Sequence, residues 1–458
     1  MKVNKTEICA WASALGEKSS ARVEGVGLAA ATAVGLGAII GAGIFTLSGT
    51  AIALAGDWAL FSFILVGLVA IVVALEIGEL GTLFPKASGA SYSYAYEAFG
   101  SELGFITGIL LYFSEAGSIS VIALGFGSYF VGLFGLPASG DVNLVAIGLI
   151  GALALVNLGG IRKAARADFG LVAVKLAILL AVVGFAVLFS VRNGSATNFA
   201  ALTAPASGVA GIFGASVAVF FAYSGFQSIS SFTSRVKGGA REAAKAILLS
   251  VSISMVLYVL VAFSLLALLP ANRFVINADP LSFALTASHA PAYLTAVVDI
   301  GALVATASAS LAVLLGASRI LYQIGEDGLL PRVVRTYDAK RDVARNGVLI
   351  SAIIGIAMLY AGNVFVIAAI SNFGLLFSYL IATLALVHFR RLGRRGTFSV
   401  PGYPYLPLIA FIAILSFMIG MPREALVVGT ILVLSLIIAY YSLREYKEKE
   451  PVKIRFFD

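Results

Sequence analysis

The chain has 458 residues, of which 60% are apolar and only 12% are charged, and its mean hydropathy is +1.01. In soluble domains about a quarter of all residues are charged, so this composition excludes an ordinary soluble globular protein. Charge-free stretches of membrane-spanning length recur, as at 246–272 and 346–389. A β-barrel would instead alternate apolar and polar residues. The sequence therefore predicts an all-α integral membrane protein embedded in the lipid bilayer.

In chain order, apolar runs and helix breakers predict about twelve membrane-spanning helices. The first six lie near 27–54, 59–83, 103–133, 142–160, 168–191 and 206–233. The second six lie near 244–270, 292–323, 346–361, 364–389, 403–421 and 424–443. An N-terminal segment, 1–24, and a C-terminal tail, 444–458, flank these helices.

The basic residues predict the orientation of the chain. With a cytoplasmic N-terminus, only Arg192, Arg273 and Arg423 of the 31 Lys and Arg fall in outer loops, and Lys175 falls within a helix. Cytoplasmic loops of membrane proteins carry this excess of positive charge. Both termini are thus predicted to be cytoplasmic, in the cell membrane. The net charge of +8 then reflects topology and anionic lipid, and nucleic acid is not an expected partner.

Four glycines, Gly35, Gly37, Gly41 and Gly43, interrupt the first predicted helix. Glycine weakens a helix, and an unwound segment at membrane depth is tolerated only where it lines a cavity. The freed amides of such a segment can bind the carboxylate of a small zwitterion, and the freed carbonyls its ammonium group. The alternative is that the glycines allow neighbouring helices to approach closely, since Gly37 and Gly41 form a small-x-x-x-small pattern.

The sixth predicted helix contains a second candidate break, in the stretch from Phe220 to Gln227 around Gly225. One glycine alone is weak evidence. Its position matches that of the first break five helices earlier, which suggests inverted repeats whose broken helices meet at the bilayer midplane.

The stretch from Gly37 to Phe45 resembles the first-helix signature of the amino acid-polyamine-organocation transporter superfamily. The stretch from Glu79 to Lys86 is similar to the second-helix exit of that superfamily, and the stretch from Gly316 to Pro331 to its eighth-helix exit. The resemblance implies a leucine-transporter-like fold. Helices 1–5, at 25–191, and helices 6–10, at 206–389, would be inverted repeats with helices 1 and 6 broken. Two further helices, at 403–443, would follow.

The resemblance also implies a substrate site between the two broken helices. The residues that would contact an amino acid substrate are Ile39, Gly41, Ala42, Gly43, Phe221 and Ser224. The amides at 41–43 would hold the carboxylate, the carbonyls at 39, 221 and 224 would face the ammonium group, and the ring at 221 would cover the substrate. The chain departs from the superfamily after helix 6, where the stretch from Ser234 to Arg241 lacks the usual acidic residue and Asn-Pro, and Gln227 replaces a common acid.

Lys175 lies within the fifth predicted helix, where an ammonium group is costly unless it is paired, hydrated or neutral. In proton-coupled relatives, a lysine at this motif occupies the place of a sodium ion near helices 1 and 8. Ser308 is the predicted partner from helix 8. The resemblance therefore implies that Lys175 exchanges a proton during transport. The alternative is that the long side chain reaches the cytoplasmic interface.

Several acidic residues also fall within the predicted helices. Glu115 either faces the cavity, where it would bind a cationic side chain or exchange protons, or is bonded to a neighbouring helix. Glu76 and Glu79 share one helix face, a spacing that would suit a carboxylate pair for acid–base chemistry. The favoured interpretation is that they are structural carboxylates near the cytoplasmic end, compensated by Lys86. Asp299 is expected at the outer interface, and the tyrosines at 92, 94 and 96 in an interfacial aromatic belt.

These features favour import of amino acids by proton-coupled symport with alternating access. The alternative is exchange of amino acids or polyamines without net proton movement. An intramembrane enzyme and an ion channel are disfavoured, because His289 and His388 are too far apart in the sequence to suggest a metal pair and no repeated pore loop occurs. No cofactor or metal is expected. The expected partners are the amino acid, the proton and lipid, and the sequence indicates no oligomeric state.

Overall fold

The computed structural model describes residues 27–84, 91–136, 138–160, 168–193, 208–226 and 236–447. The predicted N-terminal segment, 1–24, lies outside the described residues, as does the predicted tail from residue 448 onward. The described part is built almost entirely of α-helices. Two short strands, β1 (Tyr337–Asp338) and β2 (Val343–Ala344), form one antiparallel pair.

The helices are numbered in chain order. The first eight are α1 (Leu28–Ile39), α2 (Gly43–Ala55), α3 (Ala59–Leu83), α4 (Ser91–Phe99), α5 (Ser101–Phe134), α6 (Ala138–Gly159), α7 (Asp168–Asn193) and α8 (Gly208–Tyr223). The others are α9 (Gly239–Leu268), α10 (Pro280–Ala287), α11 (Ala292–Glu326), α12 (Arg345–Met358), α13 (Val364–Arg391), α14 (Tyr405–Ile419) and α15 (Arg423–Lys447). Short 3₁₀ turns occur at Gly56–Trp58, Ala271–Arg273 and Arg332–Arg335.

Eight helical stretches of the described chain are long and apolar enough to cross a membrane. They are Gly43–Leu83, Ser101–Phe134, Val142–Gly159, Gly170–Arg192, Arg241–Leu268, Ala292–Glu326, Val364–Arg391 and Arg423–Ser442. The four shorter apolar helices are α1, α8, α12 and α14. Helix α1 shares the first predicted span with α2, and the other three each correspond to a predicted span of their own. The prediction of a helical chain with several apolar helices of membrane-spanning length is confirmed. The count of about twelve spans and the inverted repeat remain predictions.

The helices pack around a centre formed by α5, α11 and α13, with α5 lying along both of the others. On one side of this centre α2 packs against α8, and α9 packs against α1 and α3. The outer faces expose large apolar side chains, as Ile412 and Ile419 of α14 and Leu434 of α15 illustrate. Such faces suit a protein whose outer solvent is hydrocarbon rather than water.

The structure adds two loop helices that hydropathy did not indicate, α4 and α10. It also buries Asp299, which was predicted at the outer interface. This residue is only 4% exposed, and its carboxylate accepts a hydrogen bond from the hydroxyl of Ser282 in α10. The loop helix α10 therefore packs over the N-terminal end of α11 and shields this carboxylate.

Candidate functional site

The first span is interrupted between α1, which ends at Ile39, and α2, which begins at Gly43. Ile40 has φ −75° and ψ 64°, and the Gly41 amide donates to the Ile39 carbonyl at 2.7 Å, which together form an inverse γ-turn. None of the residues at 40–42 has a positive φ. The helix thus turns at an isoleucine in a conformation open to any L residue, and the glycines are not required there for their backbone freedom.

Because of the interruption, no helical turn directly precedes the N-terminus of α2. The first amides of a helix have no carbonyl partner within it, and they carry the positive end of the helix dipole. Ala42 is the N-cap of α2 and Gly43 its first residue. Of the three predicted carboxylate contacts, Gly41 already donates its amide within the turn. The arrangement can therefore hold an anion chiefly through the amides of Ala42 and Gly43.

Two of the three predicted ammonium-binding carbonyls, those of Ile39 and Phe221, already have internal donors. The Ile39 carbonyl accepts from the Gly41 amide and from the hydroxyl of Tyr258 at 2.8 Å. The Phe221 carbonyl accepts from the amide of Ser224 at 3.3 Å and from the hydroxyl of the same residue at 2.7 Å. An incoming ammonium group would have to share or replace these donors.

The structure brings the predicted residues of the first and sixth helices together. A Cβ atom added to Gly43 would lie 2.4 Å from Cα of Ala222, so α2 and α8 meet backbone to backbone. Gly225, just after α8, has φ +108°, and a Cβ there would lie 2.5 Å from the Ala38 carbonyl oxygen. The end of α8 thus contacts α2, which follows the interruption, and Gly225, just beyond α8, contacts α1, which precedes it. Gln227 lies outside the described residues.

Aromatic side chains surround the end of α8. Phe221 is buried at 5% exposure. The ring of Tyr379, from α13, stacks on Phe226 at 5.5 Å between centroids and meets Phe220 edge-on at 5.9 Å. This cluster gives the region an apolar wall, which suits an uncharged substrate side chain.

Lys175 is 2% exposed and lies between α1 and α11. Three residues before it in α7, Val172 touches Gly37 of α1, and three residues after it Ile178 touches Gly301 of α11. Residues three apart share a helix face, so the lysine stem leaves α7 on the side that packs against both helices. The burial argues against the alternative in which Lys175 extends to the interface.

Ser308 is half-buried in α11, and its hydroxyl donates to the Ala305 carbonyl of the same helix at 3.0 Å. The neighbouring Ala309 lies opposite Gly41, because a Cβ on that glycine would be 3.7 Å from the alanine Cβ. The structure therefore places this part of α11 directly across from the interrupted segment. The role of Ser308 as a partner of Lys175 stays a prediction.

Glu115 is half-buried on α5. Its carboxyl lies near the Tyr379 hydroxyl, in the neighbourhood of the aromatic cluster at the end of α8. This location suits either a cavity-facing carboxyl or one held by a neighbouring helix. Both alternatives for Glu115 therefore stay open.

The carboxylates of α3 have other partners than predicted. Glu79 binds Arg390 of α13 through two hydrogen bonds, at 2.5 and 2.7 Å, and accepts a third from the amide of Val400. Glu76 accepts from the hydroxyl of Thr383 at 2.5 Å. The predicted compensating residue, Lys86, lies outside the described residues. These contacts support the structural interpretation of Glu79. Its counter-ion is Arg390, 311 residues away in the sequence.

The interfacial interpretation of Tyr92 and Tyr94 is wrong, since each side chain is 1% exposed. The Tyr92 hydroxyl donates to the Asp327 carboxylate at 2.7 Å, linking α4 to the end of α11. Burial raises the pKa of the Asp327 carboxyl, and the hydrogen bonds from Tyr92 and Gln323 oppose that rise. Sequence reasoning missed this contact because α4 itself was not predicted.

Two alanine substitutions in the interrupted segment are expected to behave differently. Gly41→Ala leaves the fold intact, because its methyl group would make only ordinary contacts, whereas Gly43→Ala would collide with the Ala222 backbone and reduce the yield of folded protein. Size-exclusion chromatography of the two purified variants measures this difference. Equal yields of monodisperse protein would show that α2 and α8 are not held at this close approach.

Residues 26–439 match the family described as amino acid permease. The branched-chain amino acid permease BcaP of Lactococcus lactis is 30% identical, over 91% of this chain and 94% of the relative. The Bacillus subtilis protein of the same name is 27% identical over 88% of each chain, and the methylthioribose transporter of that organism is 28% identical over 85% of this chain and 87% of the relative.

These matches cover nearly the whole chain, and they confirm the superfamily that the first-helix motif indicated. The matched relatives named here are permeases and transporters, so the prediction that the chain is not an enzyme is also confirmed. With its series of long apolar helices, the chain belongs to the amino acid permease family of multi-pass membrane transporters.

Proposed function

We propose that this permease imports an amino acid across the cell membrane by proton-coupled symport. The observation that carries the proposal is the contact between the interrupted first span and the end of α8, with Gly43 against Ala222 and Gly225 against Ala38. Amides at the start of one helix and carbonyls at the ends of two others, gathered at one place, suit the two charges of a main-chain zwitterion. Alternating access of this site to the two sides of the membrane would complete the cycle.

The substrate we favour is a neutral amino acid with an apolar side chain. Its carboxylate would bind the amides of Ala42 and Gly43, and its ammonium group the carbonyls of Ile39, Phe221 and Ser224. The aromatic cluster around Tyr379 would enclose the side chain. The two relatives named as branched-chain amino acid permeases support leucine, isoleucine and valine as the first candidates.

Lys175 is the group that we propose couples transport to the proton. Its burial, on the face of α7 whose neighbours contact α1 and α11, supports this role. A buried ammonium group is costly, so loss or gain of its proton as the cavity opens to either side can be linked to substrate binding. Ser308 would then share this part of the site.

The proposed architecture has about twelve spans, with both termini in the cytoplasm. The first repeat would run from α1 to α7 and the second from α8 to α13, with α14 and α15 added at the end. The short helices α8, α12 and α14 and the pair α1–α2 would supply the four spans beyond the remaining long helices. Site-directed labelling of single cysteines from each side of the membrane tests the orientation.

Uptake into proteoliposomes tests the function. Radiolabelled leucine, isoleucine, valine, lysine and methylthioribose would be offered under an inward proton gradient, an inward sodium gradient, or with unlabelled substrate preloaded, and protein-free liposomes would serve as the control. Accumulation of branched-chain amino acids under the proton gradient alone is the expected result. Uptake only against preloaded substrate would establish the exchanger alternative, and uptake of none of the amino acids would overturn the substrate class.

A further inference from the structure

A buried tyrosine from α9 joins the ends of the two helices that meet at the proposed site. Tyr258 has no exposed surface, and its hydroxyl lies 2.8 Å from the Ile39 carbonyl and 3.1 Å from the Ala222 carbonyl. Ile39 is the last residue of α1, and Ala222 lies in the last turn of α8. One side chain therefore contacts the carbonyl ends of both helices.

The location of this hydroxyl matters because both helix ends carry partial negative charge. The last carbonyls of a helix lack intrahelical donors, and the dipole concentrates negative charge there. Two such ends held together in a low-dielectric interior repel each other. A phenol supplies a single hydrogen, which here is shared between two acceptors. Removing that hydrogen leaves both carbonyls facing each other without a common donor.

We propose that Tyr258 is a positioning residue that keeps the ends of α1 and α8 at the separation required for substrate binding. The inference rests on the proposed function for its link to transport. Its structural part concerns only the helix ends. When the hydroxyl is absent, the ends separate for part of the time, and the fraction of protein with a competent site falls. Apparent affinity falls in proportion to that fraction.

The chain offers a matched control in Tyr223. This residue is also fully buried, its ring lies edge-on to that of Tyr258 at 5.1 Å between centroids, and its hydroxyl donates to the Phe63 carbonyl at 3.1 Å. The bond runs to α3 and not to the end of α1 or α8. Tyr223→Phe and Tyr258→Phe therefore each delete one buried hydroxyl and keep the ring packing, but only the second affects the joined helix ends.

Hydrogen exchange tests the structural part without any substrate. The ligand-free wild type and both variants would be compared in nanodiscs by mass spectrometry of peptides covering residues 36–46. Tyr258→Phe is expected to speed exchange of the amides at 40–43 by about tenfold, the factor that one lost buried hydrogen bond gives. Tyr223→Phe should change the exchange rate of these amides less than twofold. Equal exchange in Tyr258→Phe and the wild type overturns the proposal.

Leucine uptake kinetics test the functional part. Tyr258→Phe is expected to raise KM about tenfold with the maximal rate per molecule nearly unchanged, and Tyr223→Phe to leave KM unchanged. An equal rise in both variants, or an unchanged KM in Tyr258→Phe despite faster exchange, overturns the role in binding. If the wild type carries none of the amino acids offered, the proposed function fails, and the exchange experiment still decides whether Tyr258 holds the helix ends.

Discussion

Replacing Lys175 with methionine is expected to abolish accumulation driven by a proton gradient while leaving substrate exchange across the membrane intact. Methionine has a similar length and no charge, so it fills the space between α1 and α11 that the buried lysine occupies. Without a titratable group there, substrate binding no longer depends on a proton. Leucine accumulation under a pH gradient should fall by at least about tenfold, a loss of roughly 1.4 kcal/mol of coupling.

Lys245→Met is the matched control for this experiment. Lys245 is a half-exposed residue of α9 that pairs with Glu242 at 2.6 Å, and loss of such a surface pair has little effect. The Lys245→Met variant should accumulate leucine to the same level as the wild type. Undiminished accumulation in Lys175→Met under the pH gradient would remove the lysine from the coupling mechanism, whereas loss of both accumulation and exchange would indicate a damaged site instead.

Replacing Arg390 with methionine is expected to lower the free energy of unfolding by about 3–5 kcal/mol, because it leaves the Glu79 carboxylate buried without its counter-ion. Glu79 has no exposed surface, and the side chain of Arg390 is only 8% exposed. The arginine also lies 4.9 Å from the centre of the Tyr403 ring, so the substitution removes a cation–π contact as well. Unfolding by SDS in mixed micelles measures the loss.

Two further variants check that the effect belongs to the buried pair. Arg319→Met breaks an exposed ion pair with Asp342, at 3.4 Å and about half exposed on both sides, and should cost under about 1 kcal/mol. The double variant Glu79→Gln, Arg390→Met removes both charges and should recover much of the lost stability. A single variant as stable as the wild type would mean that Glu79 does not need the arginine.

The helical class of the fold was predictable because the bilayer restricts the choices. A chain in hydrocarbon must satisfy its backbone internally, so long apolar runs become helices and their boundaries can be read from charges and glycines. The predicted span at 103–133, for example, is observed as Ser101–Phe134. The glycines were expected to open the first helix or to allow close approach of neighbouring helices. The turn occurs at Ile40, while Gly37 and Gly43 serve close contacts with other helices.

The missed partners have a common physical cause. Tyr258 and Ile39 are 219 residues apart, and Glu79 and Arg390 are 311 apart. Each pairing depends on which helix faces meet, and hydropathy does not specify this, since a tyrosine within an apolar span reads the same whether it faces lipid or the bundle interior. The resemblance to a transporter superfamily supplied the site residues at 39–43 and 221–224, because backbone sites leave glycine patterns in the sequence that side-chain contacts do not.

The two longest helices, α5 and α11, pack along each other, and each is longer than the hydrocarbon core of a bilayer is thick. With 34 and 35 residues at a rise of 1.5 Å, each is about 51 to 53 Å long, against about 30 Å of hydrocarbon. The loop helix α4 packs on α5, and the β2 strand and the turn at Arg332–Arg335 pack on α11. Helix ends that extend past the hydrocarbon would convert a slight tilt within the bilayer into a larger displacement of the loops attached to them.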